Sequence, residues 1–364
     1  MERGNRGGNI CGTIGGMTTR ERMARGLESI PTAAAWALAD LGEEKGKQEL
    51  FTRQSPQKLK ILREHALIQS AVSSTRIEGV TVEPGREKDV VLGRGRLRDR
   101  DEEEVRGYRD ALDLIHRRGA KLSVAEPTIL GLHRHVRAGV GDAGRYKERD
   151  SDIVEKYPDG RVVVRFRTAP ASATPRAMRE LVASWERCIE ERSIPPLIAA
   201  AAFNLDFLCI HPFRDGNGRV SRLLWLIQCY HSGYEVGRYI SLERLIEENK
   251  ERYYETLQQS STGWHEGRHD PWPYINYLLY ILKTAYREFE ERVGRLKTPR
   301  GAKTEFVETA VEKARGQFTL GEMERACPGV SRDMVRKVLR ALRKAGKGIC
   351  EGRGLGARGG GGRR

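Results

Sequence analysis

The chain has 364 residues, of which 65 are Lys or Arg and 50 are Asp or Glu, so that its formal net charge is +15. At roughly 150 residues per domain, this length predicts two or three domains with substantial cores and excludes a peptide-sized binder. The basic excess favours an anionic partner such as a nucleotide or a nucleic acid.

The N-terminal residues 1–29 are rich in glycine and have no apolar core of signal-peptide length, so we expect a flexible lead. The most apolar run, residues 195–210, is interrupted by Asn204 and Asp206, well short of the ~20 residues that span a bilayer. Six cysteines are scattered without a Cys-x-x-Cys pair, which is typical of reduced thiols. We therefore predict a soluble, cytoplasmic protein that does not contact a membrane.

Helical periodicity dominates the chain as far as residue 295. One helical segment covers residues 30–51 and a second covers residues 55–79. A basic connection over residues 84–100 is predicted to be mobile, and helical patterns resume after it. The fold class predicted is mainly α.

One stretch, residues 151–167, breaks this pattern. Two β-branched runs flank Tyr157, Pro158, Asp159 and Gly160 there. Proline followed by Asp-Gly is strong turn chemistry, so we predict a small β-hairpin between the helices.

A charged loop, HPFRDGNGR over residues 211–219, separates two apolar helical segments. It has the composition of a simple polar turn, in which Asn217 would cap the next helix. However, Gly216 and Gly218 flank Asn217, so the backbone can present successive N–H groups at a helix N-terminus, which is a phosphate-binding arrangement.

Charged side chains of the same loop support this interpretation. Arg219 and Arg222 share a face of the opening turn, where the helix dipole repels cations unless an anion is bound. Asp215 offers a hard oxygen ligand of the kind that Mg²⁺ takes beside phosphates, and His211 supplies a base that titrates near neutrality. These are the groups that phosphoryl-type transfer requires.

Residues 211–222 match every fixed position of the Fic family signature, HPFx[DE]GN[GK]RxxR, and the chain resembles that family from residue 30 to residue 295. The resemblance implies a protein adenylyltransferase, which uses ATP and Mg²⁺ to transfer AMP to a hydroxyl side chain of a target protein. It implies that His211 is the catalytic base and that Asp215 holds the metal. The nucleotide-binding residues that it implies are Phe213, Arg214, Asp215, Gly216, Asn217, Gly218, Arg219, Arg222, Tyr253 and Tyr254.

A second family pattern, [ST]xxxE[GN], matches residues 74–79, where Ser74 and Glu78 are the fixed side chains. Alone, this segment reads as a helix end with a solvated Glu78 and Gly79 as its C-terminal stop. Beside the signature it implies inhibition, because a Glu78 carboxylate paired with Arg222 would take the place of the γ-phosphate.

The predicted hairpin lies where the family keeps its flap, an edge that pairs with an extended segment of the target protein. The family commonly has Gly-x-x-Arg before the flap and Pro-Pro after it. This chain has Lys147 three residues after Gly144, and Ala169 before Pro170. Target docking is therefore expected to differ in detail.

Two histidine patterns are set aside. Residues 265–269 match the zinc motif HExxH, but Gly263, Gly267 and Pro271 oppose the helix that this motif needs. His133 and His135 stand two apart in a helical stretch and are predicted to be surface and packing residues.

The C-terminal part of the sequence is strongly basic. Residues 331–364 include eleven basic and two acidic residues. The pattern predicts helix, turn, helix and a strand pair, and it resembles a winged helix-turn-helix unit that binds DNA through phosphate contacts. Ser331 would cap the second helix, with Val335 and Val338 facing inward and Arg336 outward. A solvated basic helix that packs on the core or on a partner protein is the alternative.

The domain organisation predicted is a flexible lead (1–29), an N-terminal helical region with the inhibitory helix (30–115), a Fic catalytic core (116–295), a winged helix-turn-helix domain (303–356) and a disordered basic tail (357–364). The principal hypothesis is an autoinhibited protein AMP-transferase. The alternatives are a DNA-binding regulator with a nucleotide-sensing core, and an enzyme that removes AMP or transfers another phosphate-containing group. The target protein and the oligomeric state, a homo-oligomer included, stay open.

Overall fold

The structure is a computed structural model that describes residues 18–26, 29–54, 56–83, 85–156, 159–295, 302–314, 317–327, 330–346, 348–351 and 358–361. The helices are α1 (Thr19–Ala24), α2 (Thr32–Gln54), α3 (Pro56–Ile77), α4 (Glu87–Leu92), α5 (Arg100–Arg118), α6 (Glu126–Val136), α7 (Thr174–Glu191), α8 (Pro196–Ile210), α9 (Asn217–His231), α10 (Leu242–Glu248), α11 (Lys250–Ser261), α12 (Trp272–Arg295), α13 (Ala302–Lys313), α14 (Leu320–Ala326) and α15 (Arg332–Lys344). The strands are β1 (Ile153–Lys156), β2 (Val162–Phe166), β3 (Gln317–Thr319), β4 (Gly348–Glu351) and β5 (Arg358–Gly361). The fold is therefore mainly α with a small hairpin, as predicted.

Helices α8 and α9 form the centre of the core. Every α8 residue after Pro196 is buried, and α9 is buried from Asn217 to Tyr230 except at Gly218. A helix that is apolar on all sides must be surrounded by other elements, and α1, α7, α11 and α12 pack around α8. The loop over residues 211–216 joins these two helices, so both of its ends are fixed by the core.

Helix α1 explains the polar interruption of α8. Asp206 is fully buried, and burial raises its pKa to about 6. Thr19 supplies its partners, because the backbone N–H donates to Oδ2 at 2.9 Å and the hydroxyl donates to Oδ1 at 2.5 Å. The prediction of a flexible lead is therefore wrong for residues 18–26, which hold a capping box and a buried Met23. Residues 1–17 and 27–28 lie outside the described residues.

The connection between α3 and α5 also differs from the prediction. Residues 87–92 form α4, whose Val90 and Val91 are each 1 % exposed. Arg86 is fixed by Glu102 of α5, with Nη2 and Oε2 2.8 Å apart. Burial of the two valines orders a segment that its charges alone indicated to be mobile.

The predicted hairpin is confirmed. Strands β1 and β2 are antiparallel, with Lys156 opposite Val162 and a register shift after Ile153. Gly160 has a φ of 84°, as a tight turn there requires, whereas Tyr157 and Pro158 lie outside the described residues.

The C-terminal unit has its own core, formed by Val307, Val311, Phe318, Met323, Cys327, Val330, Val335 and Val338. Its strands lie in the order β3-β5-β4, both pairs antiparallel. The prediction of a disordered tail is wrong for residues 358–361, since they form the middle strand β5 and receive backbone hydrogen bonds from both sides; residues 362–364 lie outside the described residues.

This unit contacts the rest of the chain through Phe306 of α13. Its ring stacks on that of His65 in α3, with centroids 4.8 Å apart and planes inclined by 9°. In the described part of the chain, no helix combines the length and the apolar character needed to cross a membrane.

Gly107 sets the distance between α5 and α6. It lies buried in α5, and a Cβ at this position would collide with the carbonyl oxygen of His135 in α6. We expect Gly107→Ala to lower the free energy of unfolding by ~1–3 kcal/mol, because the helices must separate. Urea unfolding measures this. The matched control is Gly131→Ala, at a helical position with open space, where we expect no loss; an equal loss in both variants contradicts the prediction.

Candidate active site

His211 ends helix α8 in a left-handed conformation, with φ 52° and ψ 61°. For a residue with a side chain this conformation costs ~1–2 kcal/mol, so the surrounding contacts must impose it. The ring is oriented by Leu208, whose carbonyl oxygen accepts from Nδ1–H at 3.3 Å. Nε2 is thereby left as the basic atom.

The pKa of His211 is lowered to about 4, first by burial and then by the positive charge of Lys147. Glu78 and Asp215 oppose this shift less strongly. The imidazole is therefore neutral at pH 7, the form in which a general base accepts a proton.

The loop after His211 is closed by Asn217 and Phe213. The Phe213 N–H donates to Asn217 Oδ1 at 2.9 Å, and Asn217 Nδ2 donates to the Phe213 carbonyl at 2.7 Å. Gly216 precedes α9 with a φ of 84°. The side-chain amide of Asn217 thus bonds within the loop itself.

His133 of α6 also holds this loop in place. Its ring stacks on Phe213 with centroids 3.7 Å apart. Nδ1 accepts from the Gly144 N–H at 2.9 Å, and Nε2–H donates to the Asp215 carbonyl at 3.0 Å. His133 is 0 % exposed and packs on Phe213, whereas His135 is exposed, in line with the prediction of surface and packing residues. No local pattern marks His133, because its partners are distant in sequence.

Asp215 presents a carboxylate at the mouth of the loop, with 51 % of its side chain exposed. Burial alone would raise the pKa of Asp215, but the charges of Arg219 and Arg137 hold it below its usual value. Among the described residues no group of three or more His, Cys, Asp or Glu is placed to hold a metal ion. One exposed carboxylate does fit Mg²⁺ that takes its other ligands from phosphates and water.

Arg219 lies inside the protein rather than at the loop surface. It is 1 % exposed, forms an ion pair with Glu104 and donates to the Val136 carbonyl at 3.3 Å. Its Nη2 lies 3.4 Å from Asp215. These contacts show that it supports Asp215, while its contact with a nucleotide stays a prediction. Arg214 is exposed.

The structure brings the two distant motifs together at Arg222. Its Nε and Nη2 donate to the hydroxyl and the carbonyl of Ser74 at 2.9 and 2.8 Å, and Nη1 lies 2.9 Å from Glu78 Oε1. A Cβ on Gly218 would collide with the same carboxylate oxygen. The Glu78 carboxylate therefore lies against the first turn of α9, where an anion would bind.

Tyr253 and Tyr254 lie beside this pair. Tyr253 is 2 % exposed and packs on Tyr254 with ring centroids 5.2 Å apart. The Tyr254 hydroxyl donates to the Ile77 carbonyl at 3.5 Å. Tyr254 thus contacts the end of α3, and the contact of both tyrosines with a nucleotide stays a prediction.

The two histidines of HExxH point to different partners. His265 donates from Nε2 to the Arg167 carbonyl at 2.7 Å, and His269 Nε2 lies 2.7 Å from the Thr19 hydroxyl.

We expect His133→Phe to keep the stack on Phe213 and to lose both hydrogen bonds. Leaving the Gly144 N–H and the Asp215 carbonyl unpaired costs ~1–3 kcal/mol of unfolding free energy. Hydrogen exchange should show faster opening of residues 212–217. His135→Phe on the exposed face of the same helix is the control, and unchanged exchange in His133→Phe would refute the role assigned to His133.

Comparison with known proteins agrees with this geometry. Residues 123–229 match the model of the Fic/DOC family. The chain is 27 % identical over 140 residues to a probable protein adenylyltransferase of Aquifex aeolicus, covering 38 % of each protein. It is 26 % identical over 206 residues to the protein adenylyltransferase fic-1 of Caenorhabditis elegans, covering 55 % of this chain and 35 % of that protein. The chain thus spans little more than a third of the length of these relatives.

Solved structures share the fold. A Fic family protein from Desulfovibrio desulfuricans G20 superimposes with a TM-score of 0.58 at 22 % identity, covering 93 % of this chain and 99 % of that one. A Fic domain containing signaling protein from Bacteroides thetaiotaomicron gives a TM-score of 0.60 at 22 % identity, covering 71 % and 98 %. These structures share the fold of the chain, and the similarity to the Fic/DOC family covers residues 123–229.

Proposed function

We propose that the protein is an ATP- and Mg²⁺-dependent protein adenylyltransferase that transfers AMP to a hydroxyl side chain of a target protein. The observation that carries this proposal is the convergence on one loop of a neutral His211, the Asp215 carboxylate, the N-terminus of α9 and Arg222. Relatives named protein adenylyltransferase support the same reaction.

In this reaction His211 Nε2 accepts the proton of the target hydroxyl, and the hydroxyl oxygen attacks the α-phosphorus of ATP. The bond from that phosphorus to the pyrophosphate oxygen breaks, and pyrophosphate leaves. Backbone N–H groups at the start of α9 stabilise the phosphate charge. Asp215 would hold Mg²⁺, which supplies further charge neutralisation on the phosphates.

Glu78 is proposed to hold the enzyme in an inhibited state. Arg222 is 4 % exposed, and the Glu78 carboxylate lies 2.9 Å from its Nη1, where the γ-phosphate would bind. With this contact in place the γ-phosphate loses the counter-charge of Arg222, and ATP binds without the in-line alignment that transfer needs.

The exposed edge of the β1–β2 hairpin is proposed as the docking surface for the target protein. Val162, Val163 and Val164 are 57, 38 and 48 % exposed, although valine is usually buried. An extended segment of the target can pair with such an edge.

The buried thiols of Cys188 and Cys209, which form no disulfide, support a reducing compartment such as the cytoplasm.

Removing the Glu78 carboxylate should release activity. We expect Glu78→Gly to raise AMP transfer from ATP by ~10-fold or more, since Arg222 regains its place on the γ-phosphate and one charge-assisted contact is worth at least ~1.5 kcal/mol. Transfer of labelled AMP to the protein itself or to lysate proteins measures this, with mass spectrometry to identify the adduct.

Two controls sharpen the test. Glu78→Gln keeps the size of the side chain and should also activate, because it removes the ion pair. The double variant Glu78→Gly with His211→Ala should transfer nothing. Absence of any AMP adduct with the active-loop residues intact rejects the proposal, and release of AMP from a modified target would instead identify the reverse reaction.

A second function, DNA binding by the C-terminal unit, is proposed from the surface of α15. Val335 and Val338 are buried, whereas Arg336, Arg340 and Arg343 are exposed on one face of the helix. Ser331 caps the helix by accepting from the Met334 N–H at 3.3 Å. The order α13, β3, α14, α15, β4, β5 supports a winged helix-turn-helix unit that presents this face to phosphates.

We expect the triple change Arg336→Gln, Arg340→Gln and Arg343→Gln to weaken binding to duplex DNA. Each lost phosphate contact should lower the slope of log K against log salt by ~0.9. Fluorescence anisotropy at several salt concentrations measures both effects. The exposed Arg117, Arg118 and Lys121 provide a control triple; equal losses in both triples would indicate a general charge effect only.

A further inference from the structure

Lys147 is a buried lysine that contacts the chain on both sides of His211. It is 6 % exposed and stands between α6 and β1. Its backbone N–H donates to the Pro212 carbonyl at 2.9 Å. Its Nζ donates to the Ile210 carbonyl at 3.2 Å. The carbonyl groups before and after the left-handed His211 are thus both held by one residue.

The same ammonium group also holds the base of the hairpin. Nζ donates to the Thr168 hydroxyl at 2.7 Å, and this hydroxyl donates to the Ser151 carbonyl at 2.9 Å. Thr168 follows β2 and Ser151 precedes β1. Lys147 therefore links both ends of the hairpin to the residue that precedes His211.

A charged group in this place also acts on the imidazole electrostatically. Besides Lys147, the ionisable groups that act on His211 are Glu78 at the end of α3 and Asp215 in the loop, and both carry the opposite sign. Burial lowers the pKa of Lys147 to about 8, against the charges of Asp150 and Asp152. The lysine is therefore mostly cationic at pH 7 and opposes protonation of His211.

We propose that Lys147 is a positioning residue that fixes His211 as a neutral base and holds the hairpin in register with it. In this role it sets the distance between the base and the hydroxyl of a target docked on the hairpin, and so it rests on the proposed function. A misplacement of about 1 Å at such a site can cost roughly 100-fold in rate.

The variants separate the charge of Lys147 from its link to the hairpin. Lys147→Met keeps the length of the chain but loses the charge and both side-chain hydrogen bonds. Lys147→Arg keeps a charge and donors. Thr168→Val loses only the link to the hairpin. Lys121→Met, at an exposed lysine, is the control for loss of one positive charge.

In the activated Glu78→Gly background, we expect Lys147→Met to lower kcat for AMP transfer by roughly 10- to 100-fold. Lys147→Arg should restore most of that rate, Thr168→Val should raise KM for the target protein more than it lowers kcat, and Lys121→Met should change neither. A Lys147→Met enzyme with unchanged kcat overturns the proposal.

A second readout needs no turnover: the titration of His211 by NMR in histidine-labelled protein, assigned with His211→Ala. We expect the pKa of His211 to rise towards its ordinary value of ~6.5 in Lys147→Met and to stay low in Lys147→Arg and Thr168→Val. A loss of rate with an unchanged titration would show a merely structural role and overturn the proposal.

These measurements remain decisive in two difficult cases. If Lys147→Met does not fold, Lys147→Gln, which keeps an amide donor without a charge, should show the same rise in the pKa of His211. If Glu78→Gly transfers no AMP, the proposed function fails, whereas the titration still tests the link between Lys147 and His211.

Discussion

The burial of α8 and α9 is the constraint on which the rest of the structure depends. Because both helices are surrounded, the turn between them cannot move without disturbing the core, and His211 is held at the end of one helix with Asn217 at the start of the next. The left-handed backbone at His211 is strained, and it persists because the two buried helices on either side of the turn impose it. The reactive groups of the loop are therefore oriented before any ligand binds.

The two buried arginines of α9 are each paired with a carboxylate. Arg219 is matched by Glu104, and Arg222 by Glu78. Both arginines are buried, so removing a partner leaves an uncompensated charge rather than a solvated one. The two pairs differ in one respect: Glu104 is 5 % exposed, whereas Glu78 is 29 % exposed at its side chain. The second pair is therefore the more accessible of the two to solvent.

Much of the site was predictable because its chemistry is local in sequence. The glycines, Asp215 and His211 fall within one short loop, and the hairpin turn has its own residue pattern. Other features were not predictable. α1 and α4 look like charged loops, but the buried Met23, Val90 and Val91 and the hydrogen bonds of Thr19 to Asp206 order them against the core. His133 and Lys147 likewise act through contacts with residues distant in the chain.

The sequence by itself determined the mainly helical fold, the loop of residues 211–219 and the two motifs, because periodicity, turn chemistry and residue type are local properties. The family pattern implied the pairing of Glu78 with Arg222, but tertiary structure alone decided that Arg219 faces inward and that Lys147 spans His211 and the hairpin. Each of these features depends on how the helices pack. Packing brings together side chains that are distant in sequence, and no local sequence pattern predicts such contacts.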